Sequence, residues 1–359
     1  MNDRERFLAC VLGEPADRPP FWLYWSPWET TLKRWRDEGM PEGGDPRTLF
    51  GADTPPRAIP VNCGPCPKID PVVLEESAEF VVHTDSWGIV RRDFKHRESM
   101  SQFLRFPIQG WEDWERFKGE RLDPDHAERL SGDWREACAQ WRAAGVPIQL
   151  GAYPDVGVYG VVRWLLGNED GLMAFYTMPD LVHEIMDHMT GLYLTVFAKV
   201  VREVQVDVIH IWEDMCSRNG PLISPRHWDE FIGPNYRRIK AFAREHGIPV
   251  ISVDTDGDPD LLASRMMRDG VNLLFPMEVA AGCDVNAWQD RYPALGMMGG
   301  IDKRALAAGS AAIDAELARV RPAVAKGRYI PALDHLVPDD VSWEHYSYYA
   351  RALERMVRS

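Results

Sequence analysis

The chain has 359 residues, of which 45% are hydrophobic and 27% are charged, and its formal net charge is −14. This composition supports a sizeable buried core, and the negative charge excludes sequence-independent binding to nucleic acid or anionic lipid, which needs clustered Lys and Arg. Neither a signal-peptide core nor an apolar stretch of about 18 residues occurs. We therefore expect a cytoplasmic protein without nucleic-acid or membrane partners.

The N-terminal third has an irregular pattern. FWLYW at 21–25 is a candidate for the first strand, residues 37–72 are rich in Pro and Gly, and residues 78–94 have the pattern of a β-hairpin. The pair Cys63 and Cys66 has the spacing of a metal or redox motif, but no second pair accompanies it, and the pattern favours a structural or incidental role. This region is interpreted as an N-terminal insertion that contains a β-hairpin.

From residue 147 onward, short apolar runs alternate with amphipathic stretches. The predicted strands are PIQLGAY (147–153), 206–212, 248–254, 271–275, ALGMMGG (294–300) and RYIPAL (328–333). The predicted helices are 178–204, 224–247 and roughly 339–357. Such alternation is typical of a parallel sheet, and the absence of a Gly-rich phosphate fingerprint favours a (β/α)8 TIM barrel over a Rossmann sheet. No linker or repeat divides the chain, so residues 1–359 are predicted to form a single barrel domain.

Four stretches, in order along the chain, resemble the uroporphyrinogen decarboxylase superfamily, which also includes methyltransferases that use corrinoid cofactors. They are RERFLACVLGEPADRPPFW, the strand-loop-helix from VDVIHIWEDMCSRNG to the "LISP" cap and its helix, GGIDKRAL, and YIPALDHLVPDDVSWEHYSYY. The resemblance implies the same barrel scaffold, with chemistry at the carboxyl ends of the strands.

Most features of the true decarboxylase are missing. Its arginine-rich motif, which would neutralise the eight carboxylates of the porphyrinogen, is replaced by FWLYWSPWE, and its Phe-Ser-Asp segment has no counterpart. Its tyrosine aligns with Tyr159, whereas the position of its C-terminal histidine falls on Asp334. We therefore expect no decarboxylation of uroporphyrinogen.

The thiol-specific methyltransferases of the family bind zinc through His-x-Cys and a later Cys. In this chain Asp254 and Asp256 align with the first pair, and Asp334 or His335 with the last ligand. Carboxylates exclude a soft zinc-thiolate site there, but Asp254, Asp256, Asp334 and His335 leave open a divalent metal site, preferably for zinc.

The barrel rule selects further polar and aromatic residues that follow strands, among them Glu278 and Asp302. The predicted catalytic residues are Glu213, Asp214, Asp254, Asp256 and Tyr159. The predicted substrate-binding residues are Trp22, Trp25, Trp28 and Tyr153. Carboxylates suit acid catalysis or metal binding, and tryptophans suit stacking on a flat or apolar ligand.

A carboxylate-rich, Trp-lined mouth is suited to an uncharged or cationic substrate with a methylated or aromatic part. The first hypothesis is therefore a corrinoid-linked methyltransferase or demethylase. No corrinoid-binding Asp-x-His-x-x-Gly motif is present, so the corrinoid is expected on a partner protein. The alternatives are a decarboxylase or lyase for a smaller acid, and a ligand-binding protein built on an enzyme scaffold that has lost its catalytic activity.

Overall fold

The structure is a computed structural model that describes residues 1–96, 100–130 and 132–359. Its described part is a mixed α/β fold. The strands are β1 (Arg57–Ala58), β2 (Val73–Glu76), β3 (Phe80–Thr84), β4 (Val90–Phe94), β5 (Gln102–Arg105), β6 (Ile148–Leu150), β7 (Val208–Trp212), β8 (Cys216–Ser217), β9 (Gly220–Pro221), β10 (Val250–Asp254), β11 (Leu273–Phe275), β12 (Gly296–Ile301) and β13 (Tyr329–Leu333).

Helices connect these strands and cover the outside of the main sheet. They are α1 (Asp3–Leu12), α2 (Glu29–Asp37), α3 (Pro46–Leu49), α4 (Trp111–Arg121), α5 (Trp134–Ala143), α6 (Tyr159–Leu166), α7 (Asn168–Thr177), α8 (Pro179–Val201), α9 (Pro225–His227), α10 (Gly233–Glu245), α11 (Asp260–Asp269), α12 (Val285–Arg291), α13 (Arg304–Ala308), α14 (Ser310–Lys326) and α15 (Trp343–Arg358). Single-turn 3-10 segments lie at Ala127–Leu130 and Val279–Ala281, and a π turn lies at Trp228–Ile232. None of the helices in these ranges combines the length and the apolar character needed to cross a bilayer.

The main sheet has seven parallel strands in the order β1-β6-β7-β10-β11-β12-β13. The six strands predicted from residue 147 onward are confirmed as β6, β7, β10, β11, β12 and β13. The long predicted helix 178–204 is confirmed as α8, whereas the predicted helix 224–247 is broken by the π turn into α9 and α10.

The sheet is curled. Side chains from five neighbouring strands and from α1 meet in one buried cluster that also contains Trp22. Its members are Phe7, Cys10, Val11, Trp22, Val208, Val250, Leu273, Phe275, Met298 and Ile330. A flat sheet could not bring strands this far apart to one centre. Helix α1 lies at the amino ends of the strands, where Arg4 pairs with Asp207 just before β7 (2.8 Å). The opposite end, at the carboxyl ends of the strands, is open to solvent at Asp256, whose side chain is 46% exposed.

The predicted strand at FWLYW is not formed, and the structure shows a seven-stranded sheet where an eight-stranded closed barrel was predicted. The residues just before FWLYW explain why this segment does not form a strand. Pro19 and Pro20 precede Phe21 and have no N–H for a strand ladder. The Phe21 N–H donates to the Asp53 carboxylate (2.8 Å), and the Phe21 carbonyl accepts from the Asp53 N–H (2.8 Å). A single parallel bridge joins Pro27 to Val337.

The hairpin predicted at 78–94 is confirmed as β3 and β4, which pair in antiparallel register from Phe80 and Phe94 to Thr84 and Val90. It belongs to a larger sheet in which β2 and β5 flank the hairpin on either side. This sheet is the N-terminal insertion.

Candidate functional site

The candidate site lies at the carboxyl ends of the parallel strands. Asp254 ends β10 and Asp256 follows two residues later; Glu278 follows β11, and His335 follows β13. Because parallel strands present their carboxyl ends at one edge, the loops after these strands converge.

Asp256, Glu278 and His335 form one group. Each offers a ligand atom, and these atoms lie within 4.8 Å of one another. The Nε2 atom of His335 lies 3.1 Å from an oxygen of Asp256, whose side chain is 46% exposed. All three residues are partly buried. Two carboxylates and one imidazole that open to solvent on one side are a suitable ligand set for a divalent cation with room for water.

The imidazole of His335 lies between two carboxylates, those of Asp256 and Asp334. Burial lowers its pKa, but the hydrogen bond to Asp256 and the proximity of Asp334 outweigh burial and raise the pKa to about 9. Asp334 is itself fixed, because its two oxygens accept hydrogen bonds from the backbone N–H groups of Val279 (3.1 Å) and Lys303 (3.3 Å). Asp334 therefore orients the imidazole and ties three loops together.

The surroundings of Asp254 disfavour the charge of its carboxyl. Burial raises the pKa of its carboxyl well above the usual range; the nearby charge of Asp256 adds to this, and His335 opposes it. Within the described ranges, no residue donates a hydrogen bond to its side chain. Such surroundings favour the protonated form of the carboxyl, which is the form that can donate a proton.

The loop that carries Asp256 depends on a glycine. Gly257 has a φ of +80°, and a Cβ there would meet backbone atoms of Cys216 and Ser217 at 2.6 to 2.7 Å. Its N–H donates to Glu278 (2.7 Å), so the close approach also positions Glu278 beside Asp256.

An aromatic wall borders the group. The ring of Trp25 stacks on Phe275 with centroids 5.2 Å apart, and on His335 with centroids 6.0 Å apart and an interplanar angle of 4°. Tyr24 contacts Phe275 edge-on (5.0 Å). A flat or apolar ligand beside Asp256 would therefore meet aromatic faces.

The other predicted aromatic residues lie elsewhere. Trp22 is buried inside the sheet, stacked on Phe7 (5.4 Å). Trp28 precedes α2, and its N–H bonds to the Val337 carbonyl (3.2 Å). Tyr153 is 55% exposed and packs edge-on against Trp212 (4.9 Å). The substrate-binding role of each residue stays a prediction.

Glu213 is completely buried, and its carboxylate is surrounded by donors. It accepts hydrogen bonds from the N–H groups of Val158 (3.2 Å) and Gly160 (2.7 Å) and from the hydroxyl of Tyr236 (2.6 Å). Burial raises its pKa to about 6, and the three donors limit this rise. Glu213 thereby anchors the start of α6 to the end of β7. Its predicted catalytic role stays a prediction.

Two further predicted catalytic residues belong to α6 or contact it: Tyr159 is its first residue, and Asp214 contacts it. Asp214 has a positive φ of 45° and forms an ion pair with Arg163. Arg163 lies 5.7 Å from the centre of the Trp212 ring. Tyr159 is buried and stacks near Phe175, and burial raises its pKa to about 12. Their catalytic roles stay predictions.

A second group of potential metal ligands lies in the N-terminal part. It consists of Cys66, His126 and Glu128, whose ligand atoms also lie within 4.8 Å of one another. The sequence singled out Cys66 only through its spacing from Cys63, and it carried no signal that joins Cys66 to residues some sixty positions later. Glu278, by contrast, was detectable through its position after a strand.

A sequence model of the family described as uroporphyrinogen decarboxylase (URO-D) matches residues 165–356, slightly more than half of the chain. The match includes β7 and every later strand, and therefore the loops that carry Asp256, Glu278 and His335. The comparison with curated proteins gave no match.

Proposed function

Because the chain belongs to the uroporphyrinogen decarboxylase family, we propose that it is an enzyme of the methyltransferase type. We propose further that it removes a methyl group from a small methylated substrate, such as an aryl methyl ether, for transfer to a corrinoid. The observation that carries the proposal is the convergence of Asp256, Glu278 and His335 beside the aromatic ring of Trp25.

The ligand set fits a divalent metal. Asp256, Glu278 and His335 would hold the ion, and Asp334 would orient His335 from behind. When bound, such an ion supplies Lewis-acid polarisation of the heteroatom that carries the methyl group. Oxygen ligands distinguish this group from a zinc-thiolate site and favour an oxygen-bound methyl donor over a thiol.

Three residues of the chain would perform the remaining tasks. Trp25 and Phe275 would hold the aromatic part of the substrate against their faces. Asp254, whose carboxyl has a raised pKa, would give its proton to the departing oxygen. In this reaction the carbon–oxygen bond breaks and the oxygen keeps its electron pair. The acceptor supplies the electron pair of the new bond to the methyl carbon, and the protonated substrate leaves as a phenol.

The acceptor would be brought by another protein, since the sequence has no corrinoid-binding motif of its own. Such a partner would have to approach the open end of the sheet, where Tyr153 is exposed. This placement keeps the cofactor's chemistry on the partner and leaves substrate binding and proton transfer to this chain.

A direct test uses the purified protein loaded with zinc, a methoxyphenol as methyl donor and free cob(I)alamin as acceptor. We expect release of the demethylated phenol, measured by chromatography, together with loss of the cob(I)alamin absorption. Asp256→Asn should lower the rate by about 100-fold, in line with the loss of a metal-bound group. Asp302→Asn is the matched control, because Asp302 also follows a strand but pairs with Arg304.

The proposal fails if the zinc-loaded protein releases no phenol from any of a panel of methoxyphenols, or if Asp256→Asn and Asp302→Asn are equally active. Uroporphyrinogen serves as the opposing substrate. Since Arg163 is already paired with Asp214 and the site is acidic, no coproporphyrinogen should form above the level without enzyme. Its formation would favour the decarboxylase alternative.

A further inference from the structure

The N-terminal part contains a second group with a different ligand chemistry. The Sγ atom of Cys66 lies 3.2 Å from Nδ1 of His126, and an oxygen of Glu128 completes the group within 4.8 Å. Cys66 is buried, His126 is half-buried and Glu128 is exposed. The three ligands therefore converge from the interior and leave one side open to water.

The spacing of these atoms suits zinc. Zinc binds sulfur at about 2.3 Å and imidazole nitrogen at about 2.0–2.1 Å, so two such ligands of a tetrahedral ion lie about 3.5 Å apart. The observed separation of 3.2 Å needs only a small adjustment. The backbone N–H of Glu128 donates to the same Nδ1 atom (3.3 Å), so Nδ1 carries a lone pair rather than a proton.

A buried cation lies close enough to the group to act on the pKa of Cys66. Arg129 is 1% exposed, and its guanidinium donates to the carbonyls of Asn62, Gly64, Arg121 and Asp123 at 2.5 to 3.0 Å. In the described part of the chain, no carboxylate lies within ion-pair distance of it. A buried charge is stabilised by a counter-charge. Burial raises the pKa of the Cys66 thiol and Arg129 opposes this rise, so a metal bound to Cys66 would supply what the thiolate needs to become that counter-charge. A thiolate is also the form of cysteine that binds metal.

We propose that Cys66, His126 and Glu128 form a zinc site, with water as the fourth ligand. Cys63 takes no part, although it forms the Cys-x-x-Cys pair with Cys66. The site would join the turn at 62–67 to the segment at 121–130, which already share hydrogen bonds from the N–H groups of Asn62 and Cys66.

The braced turn borders the loop that follows β6. Gly64 has no space for a side chain, because a Cβ would meet Trp87 at 2.7 Å and Asp155 at 2.9 Å. Asp155 lies two residues after the exposed Tyr153. Zinc at Cys66 would therefore stabilise the insertion against the loop that borders the open end of the sheet.

Cobalt distinguishes this group from the one at the open end. The full-length protein is depleted of metal with a chelator and titrated with zinc or Co²⁺. Only Cys66 offers a thiolate in either group, so thiolate-to-cobalt charge-transfer absorption reports this site alone. We expect that absorption in the wild type, and we expect Cys66→Ser to abolish it and to lower bound zinc by about one ion per chain.

Cys63→Ser is the matched control and should keep both the absorption and the zinc. If Cys66→Ser does not fold, as judged by circular dichroism, His126→Ala replaces it, since His126 is less buried and its loss should shift the cobalt spectrum. The proposal is overturned if the wild type shows no thiolate-to-cobalt absorption, if Cys66→Ser keeps it, or if Cys63→Ser loses it to the same extent.

Discussion

Two carboxylates that follow neighbouring strands have opposite surroundings. Glu213, after β7, is fully buried and accepts hydrogen bonds from two backbone N–H groups and a tyrosine hydroxyl. Asp256, after β10, is half exposed and faces His335 and Glu278. The same position in the fold thus serves anchoring in one case and leaves ligand atoms open in the other. The number of donors already bound to a carboxylate, rather than its place after a strand, separates the two roles.

The largest difference between the two acids should appear in stability. Glu213→Ala removes the acceptor of three buried donors, each of which then lacks a partner, and we expect a loss of about 3–5 kcal/mol in the free energy of unfolding. Urea denaturation followed by circular dichroism measures it. A loss below about 1 kcal/mol would mean that Glu213 does not anchor α6, and the contrast with Asp256 would disappear.

The loop of Asp256 can be disturbed through its glycine. Gly257→Ala combines a left-handed backbone with a clash against Cys216 and Ser217, and we expect it to cost about 2–4 kcal/mol and to weaken metal binding by Asp256 and Glu278. Gly282→Ala is the control, because Gly282 has a φ of +96° but no other atom lies within 4 Å of the Cβ that the substitution adds. It should cost only about 1 kcal/mol and leave metal binding unchanged. Equal losses in both variants would show that the close approach is unimportant.

The pH dependence of stability should expose His335. Its pKa rises from 6.5 to about 9 in the folded chain, so the stabilisation is complete below pH 6.5 and is lost as the pH rises through 9. Since the side chain is partly exposed, we expect about 1–3 kcal/mol. Melting temperatures between pH 6 and 10, measured with a chelator present, should fall more steeply for the wild type than for Asp256→Asn. Parallel curves would contradict the pairing of His335 with Asp256.

The smallest stability change is expected where the chemistry is most affected. The double variant Asp254→Asn and Asp256→Asn removes the like charge that acts on Asp254, but it also removes the partner of His335. These two effects oppose each other, so we expect the melting temperature to change little while metal uptake or turnover is lost. Elemental analysis and thermal denaturation give the two readouts. Unfolding several degrees lower, together with a wild type that binds no metal, would assign these residues a structural role like that of Glu213.

Local sequence patterns were sufficient for the α/β alternation from residue 147 onward. Strands such as β7 and β10 are short apolar runs bounded by polar residues. A pattern of this kind can be recognised from neighbouring residues along the chain alone. The resemblance to the family likewise rests on local motifs, and the family match covers the same region. The first strand failed as a prediction, because Pro19 and Pro20 direct the backbone of Phe21 to Asp53 instead.

By itself, the sequence determined the parallel α/β scaffold, the family and the acidic character of the loops that follow its strands. Only the tertiary structure decided which acids are free to act. The sequence does not reveal that Tyr236 and the start of α6 donate hydrogen bonds to the carboxylate of Glu213, or that Glu278 lies beside Asp256 and His335. Likewise, the pairing of Cys66 with His126 joins residues 60 positions apart. Hydrogen-bond saturation and ligand geometry arise from contacts between distant segments, and local periodicity carries no information about them.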